Sequence, residues 1–235
     1  MEDTTHEGII GPGQTLVCIG DSITQTPDGY VTTVRDVLAL RFPDNPPQVI
    51  NAGIGANTVG MMLARFDIDV LSHNPAWVSI MAGVADTIWE VRGQPNTGGL
   101  PEGDTPGPER FGADPQQFAD TIQQMIHLAH AADAGVILCT PSHLEAAFTE
   151  GLQAANQSIA EKTRLLYDLA QTDPERIVLV PTGEVLLRAI REAGKHGEKL
   201  TISPDGVHPD EFGHALMALT LLAALGYEMT IAEGE

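Results

Sequence analysis

Three side chains at opposite ends of the sequence carry groups that could work together on a reacting atom. Ser22 stands in the run Ile-Gly-Asp-Ser-Ile-Thr near the N-terminus. A serine hydroxyl is a weak nucleophile at neutral pH and needs a base to take its proton. His208 could be that base. It stands three residues after Asp205 in Asp-Gly-Val-His-Pro, a spacing that lets the carboxylate turn back onto Nδ1, fix the tautomer and stabilise the imidazolium formed during proton transfer. Each feature has a plainer reading: a serine that caps a helix or binds phosphate, an aspartate that caps the next helix, a histidine that packs. Alone, each plainer reading is the better one. Side by side at one edge of one sheet, the chemical reading wins. Acyl transfer would also need donors for a developing oxyanion. The backbone N–H groups of Ser22 and Gly53 are the candidates.

These residues come together only if particular elements hold them. Short apolar runs of strand length occupy residues 15–20, 48–51, 77–82, 136–140 and 177–180. Between them lie stretches with helical periodicity at 31–42, 59–71, 115–134, 151–171, 184–193 and 210–225. Strands alternating with helices predict a parallel sheet covered on both faces, a three-layer α/β/α domain. Runs such as Leu-Val-Cys-Ile and Val-Ser-Ile-Met suit strands buried on both sides. In such a sheet ligands sit outside the carboxyl ends of the strands, where Gly20-Asp21-Ser22, Asn51-Ala52-Gly53 and Ala82 to Asp86 fall. Gly20 suits a tight turn that lifts the following side chains to the rim. One segment breaks the rhythm: residues 92–112 hold four prolines and six glycines, a composition for a lid, a binding loop, a subunit contact or a mobile insertion. No second domain is evident, so residues 1–235 read as one domain.

Composition narrows the partners. With 12 Lys+Arg against 32 Asp+Glu, the chain carries a formal charge of −20. Nucleic acid and anionic membrane surfaces are poor partners for such a surface, and a neutral or cationic substrate is expected. The two cysteines exclude a disulfide scaffold and a Cys-built zinc site. The N-terminus lacks the basic start and apolar stretch of a secretory signal, and the apolar run 216–225 is too short to span a bilayer. The expectation is a cytoplasmic protein without cofactor or metal, although a secretion signal already removed would leave the same chain.

Four blocks, in order along most of the chain, carry a specific resemblance: Ile-Gly-Asp-Ser-Ile-Thr, then Asn-Ala-Gly-Ile-Gly-Ala-Asn-Thr-Val, then Met-Ala-Gly-Val-Ala-Asp-Thr-Ile-Trp, then Asp-Gly-Val-His-Pro. The chain resembles the SGNH (GDSL-type) hydrolases. That resemblance implies a flavodoxin-like sheet of order 2-1-3-4-5 and a triad of Ser22 as nucleophile, His208 as general base and Asp205 as orienting carboxylate, with amides of Ser22 and Gly53 in the oxyanion hole. The stretches 51–55 and 63–89 are most similar to the branch containing acetylxylan and other carbohydrate O-acetyl esterases. The implied activity is hydrolysis of short O-acyl esters, acetyl first, from a small molecule or oligosaccharide. A general short-chain carboxylesterase or lysophospholipase is the alternative within enzymes, a non-catalytic binding module the alternative outside them. Self-association would suit the Pro/Gly loop and the relatives.

The third block departs from the family pattern. Gly-x-Asn-Asp is expected, and Gly83-Val84-Ala85-Asp86 is present. A methyl group replaces an oxyanion donor. Three origins fit: an engineered Asn→Ala substitution, which we favour, a natural variant with a replacement donor, and a non-catalytic descendant. Asp21 and Asp86 read as acceptors for backbone N–H groups in the turns around Ser22 and residue 85, rather than as metal ligands. Trp89 suits a substrate pocket and the core equally, and Asn57 is a further candidate substrate contact. Trp77 and Tyr30 read as packing. His127 and His130 share the spacing of a zinc pair, but with no third ligand they read as a solvated helix face. Cys18 and Cys139 fall on strands two steps apart, beyond disulfide reach.

Overall fold

The computed structural model describes residues 8–227; the sequence reading of the extreme N-terminus falls largely outside them. Strands β1 (Thr15–Gly20), β2 (Gln48–Gly53), β3 (Trp77–Met81), β4 (Gly135–Cys139) and β5 (Ile177–Val180) form one sheet in the order β2-β1-β3-β4-β5. Every neighbouring pair is parallel. Side chains of a strand alternate between faces, and the core divides accordingly. Leu16, Cys18, Ile137 and Cys139 enter one apolar cluster, with Val34 and Leu38 of α2 (Tyr30–Arg41), Leu186 of α8 (Thr182–Lys195) and Leu221 of α9 (Glu211–Ala224). Val17, Ile19, Val136 and Leu138 enter the other, with Met62 of α3 (Val59–Ala64), Phe66 of α4 (Phe66–Asp69), Ile122 of α6 (Pro115–Ala131) and Leu166 of α7 (Leu152–Ala170).

Helix starts are chemically marked. Asp114 accepts the Gln117 N–H at 2.9 Å and the Gln117 side chain returns to the Asp114 N–H, a capping box with Pro115 in the first turn. Asp210 caps α9 through the Gly213 N–H at 2.9 Å. This leaves Asp205 free of the capping duty that was its plainer reading.

Two departures from the sequence reading matter for the site. The single helix expected over 59–71 breaks at Arg65, whose ψ of 5° departs from helical geometry. Its guanidinium bonds the Gly20 carbonyl at 3.2 Å, Asn57 Oδ1 at 2.9 Å and Asp69 at 2.8 Å, bracing the end of β1. A helix not among those expected, α5 (Val84–Arg92), follows β3 after a two-residue turn. Lys162, fully buried on α7, fastens it: the amine bonds Glu90 Oε2 at 2.7 Å, Ser158 Oγ at 2.7 Å and Thr87 Oγ1 at 3.1 Å. Among the described residues no helix is long and apolar enough to cross a membrane.

Candidate active site

β1 ends at Gly20, and a Cβ there would lie 2.0 Å from Thr24 Oγ1 and 2.8 Å from the Met81 carbonyl. Only glycine lets the chain turn so tightly between β3 and the short helix α1 (Ser22–Gln25). Asp21 caps α1, its Oδ1 accepting the Ile23 N–H at 3.0 Å while Oδ2 accepts the Ala85 N–H at 3.4 Å. Burial pushes the Asp21 carboxyl above its usual range, against the pull of those two N–H groups and the nearby His208. This matches the bracing role read from the sequence.

Ser22 is thereby held half-buried at the rim. Its Oγ lies 2.8 Å from Nε2 of His208. On the other side of the ring Nδ1 lies 2.6 Å from Asp205 Oδ2. Asp205 Oδ1 accepts the backbone N–H groups of Val207 and His208 at 2.9 and 2.7 Å, so this loop fixes the carboxylate before it reaches the ring. Burial raises the Asp205 carboxyl, but the bonds from His208 and Val207 outweigh it and hold the group at about 2. Gly206 makes the turn possible: its φ is +87°, and a Cβ there would lie 2.1 Å from the Phe148 nitrogen.

These groups open onto a cleft of about 350 Å³, at the small end of ligand sites. Ala56 and Ala85 line it beside Ser22, and Trp89 stands further along the α5 wall. Trp89 is therefore a cleft residue, half-buried and in neither apolar cluster. Its Nε1 donates to the Ala56 carbonyl at 3.3 Å, and Asn96 Nδ2 donates to the same carbonyl at 2.8 Å. Asn96 belongs to the Pro/Gly-rich segment, whose Glu109 carbonyl also accepts from Thr58. Close behind that segment, Ala113 donates its N–H to Asp86 at 3.5 Å. The 92–112 segment thus braces the cleft from behind, and of its residues only Arg92 lines the cleft.

Two expected contacts lie elsewhere. Gly53 donates its N–H to Asn51 Oδ1 at 2.9 Å and does not line the cleft. Its glycine identity has a packing cause: a Cβ would lie 2.3 Å from the Gln25 nitrogen, where α1 crosses the end of β2. The amide at the cleft is that of Ala56, which no acceptor takes among the described residues. Ala56 has φ +59°, a left-handed conformation that favours glycine, and no residue type marked it in the sequence. Asn57 is buried away from the cleft, its Oδ1 held by Arg65 at 2.9 Å. Its side chain reaches the site through Arg65, which bonds the Gly20 carbonyl.

The remaining sequence candidates are structural. Asp86 is fully buried and receives the Val59 N–H at 3.0 and 3.1 Å, tying α5 to α3. Burial pushes its carboxyl up to about 6, against the pull of the Val59 N–H and Lys162. Trp77 packs on the core and donates Nε1 to the Ile9 carbonyl at 3.1 Å, while Tyr30 is buried and shares a hydrogen bond of 3.0 Å with Thr24. His127 is solvated, but His130 is not: its side chain is 17% exposed, 3.9 Å from the Asp173 carboxylate, because α6 packs there against the segment leading to β5. Among the described residues no three His, Cys, Asp or Glu side chains cluster as a metal site. Cys18 and Cys139 are buried free thiols, and burial pushes the Cys139 thiol up to about 12.

The model of the GDSL-like Lipase/Acylhydrolase family matches residues 18–216. The chain belongs to that family. It is accordingly a serine carboxylic-ester hydrolase by family. An acetylxylan esterase from Geobacillus stearothermophilus is 27% identical over 93% of this chain and 97% of its own length. The crystal structure of Axe2, an acetylxylan esterase from the same organism, superposes with a TM-score of 0.73 at 25% identity, covering 95% of this chain and 99% of its own. LAE5, an α/β hydrolase enzyme from the metagenome of Lake Arreo, Spain, superposes with a TM-score of 0.72 at 25% identity over 93% of this chain and 97% of its own. The sheet order β2-β1-β3-β4-β5 matches the Axe2 structures.

Proposed function

We propose that this family member hydrolyses short O-acyl esters, acetyl first, carried by a saccharide. The observation that carries the reading is the unbroken chain from Ser22 Oγ to His208 Nε2 at 2.8 Å and from His208 Nδ1 to Asp205 Oδ2 at 2.6 Å. Ser22 Oγ attacks the ester carbonyl carbon as His208 Nε2 takes its proton, and Asp205 stabilises the imidazolium. The imidazolium then returns the proton to the leaving alkoxide, and the acyl group stays on Ser22. Water, deprotonated by the same imidazole, then bonds to the acyl carbon, and the imidazolium returns the proton to Ser22 Oγ as the Ser22–acyl bond breaks and the acid leaves. The amides of Ser22 and Ala56 serve the oxyanion, and Ala85 contributes no side-chain donor.

Three observations support a small neutral ester over a long-chain lipid. The cleft has a volume of about 350 Å³, the chain carries a charge of −20 that repels anionic headgroups, and one curated relative is named an acetylxylan esterase. The test is a serine-directed fluorophosphonate mapped by mass spectrometry, together with turnover of p-nitrophenyl acetate and acetylated xylo-oligosaccharides. Labelling at Ser22, abolished in Ser22→Ala, is expected. Labelling at another serine, or octanoate turned over faster than acetate, would reject the reading.

A further inference from the structure

The cleft has an end wall built from two walls that the chain brings together across 58 positions. Arg92, the last residue of α5, extends its Nε to Glu150 Oε2 at 2.7 Å and its Nη2 to Oε1 at 3.4 Å. The guanidinium lies 5.4 Å from the centre of the Trp89 ring, stacked against the α5 wall. Glu150 closes the opposite wall, a strap running from Leu144 to Gly151 that is fixed at both ends. Near its start, Glu145 Oε1 accepts the Ile202 and Ser203 N–H groups at 3.0 and 2.6 Å, tying the strap to the loop that presents Asp205. At its end, Gly151 approaches α5 so closely that a Cβ would lie 2.8 Å from Val91 Cγ1. The Arg92–Glu150 pair therefore joins α5 to the strap at the end of the cleft far from Ser22.

The chemistry of the triad decides which half of an ester would meet that wall. His208 must protonate the leaving oxygen, so the alcohol lies beside its Nε2. That end is open to water: the His208 and Asp205 side chains are 48% and 55% exposed. A bulky saccharide has room there. The acyl group is then left the side away from that oxygen, where Val84, Ile88 and Phe148 offer an apolar lining and the ion pair, its side chains 39% and 56% exposed, stands across the end.

We infer that the Arg92–Glu150 pair is the stop that sets acyl-chain length, so that chains reaching it are rejected because they would have to break it. The inference rests on the esterase reading of the cleft. It is tested by kcat/KM for p-nitrophenyl acetate, butyrate, hexanoate and octanoate with the wild-type protein, Arg92→Ala, Glu150→Ala and the exchanged pair Arg92→Glu/Glu150→Arg. Each truncation is expected to raise the octanoate-to-acetate ratio about threefold to fivefold, the scale set by an exposed ion pair. The exchanged pair is expected to bring the ratio back towards wild type, which a merely structural disturbance would not do. Ratios unchanged by both truncations, or left high by the exchanged pair, would overturn the stop while leaving the esterase reading in place. No turnover of any ester by either the wild-type protein or Ala85→Asn would overturn both.

Discussion

The amide of Ala85 is donated to Oδ2 of Asp21 at 3.4 Å, and its methyl group lines the cleft beside Ser22. The backbone of the third block is therefore tied to the turn that holds Ser22, and residue 85 presents a methyl group where the family pattern has an asparagine. Ala85→Asn should restore that donor on a backbone already in position and raise kcat on p-nitrophenyl acetate by about 10²–10³. Steady-state kinetics of the two proteins checks this. Silence of both, with binding of xylo-oligosaccharide retained, would mark a binding module instead of a disabled esterase.

Asp205→Asn is expected to lower kcat by about 10⁴ without unfolding the protein. An amide NH₂ at the Oδ2 position, 2.6 Å from Nδ1, favours the imidazole tautomer that cannot accept the Ser22 proton. Because Asp205 is held at about 2, it stays ionised from pH 4 upward, and the acid limb of the activity profile should not report its titration. A kcat of Asp205→Asn within about tenfold of wild type would remove Asp205 from the triad.

The buried Asp86 carboxyl, raised to about 6 from 3.8, makes a pH-dependent contribution to stability. Between those two values the folded state holds a proton that the unfolded chain has lost, so the contribution of this group falls as pH rises through the window. Asp86→Asn carries no such titration. Its stability relative to wild type, taken from urea unfolding, should improve by about 2–3 kcal/mol between pH 4 and pH 7. A difference independent of pH would mean that Asp86 titrates at its ordinary value.

Ala56 holds φ at +59°, where an L-residue is strained by about 1–2 kcal/mol. Ala56→Gly relieves that strain and loses part of the gain to the freer unfolded chain, so a net stabilisation of about 0.5–1 kcal/mol is expected in chemical denaturation. Destabilisation by the same amount would show that the Ala56 methyl packs more than it strains.

The sheet, its order and the Ser22–His208–Asp205 constellation were legible before any coordinates. Apolar runs with strand and helix periods are local properties, and the four blocks tie widely separated residues to one site. Most boundaries fell within a few residues, but the helix expected over 59–71 breaks at Arg65, and α1 and α5 were not expected: α1 is a single turn, and the helical period of α5 over Val84, Ile88 and Val91 is short and runs straight into the Pro/Gly-rich segment.

What only the tertiary structure decided are the contacts whose partners carry no pattern. That the Gly53 amide goes to Asn51 and leaves Ala56 at the cleft depends on how α1 crosses β2, a packing distance of atoms and not a residue type. Asn57 turned away to Arg65, His130 turned inward to Asp173, and Arg92 meeting Glu150 likewise depend on which elements pack side by side. Residue types set which groups exist and which face of an element they share. Reach and mutual orientation are fixed only when the sheet and its two helical layers close around one another, because hydrogen bonds and ion pairs form over a few ångströms.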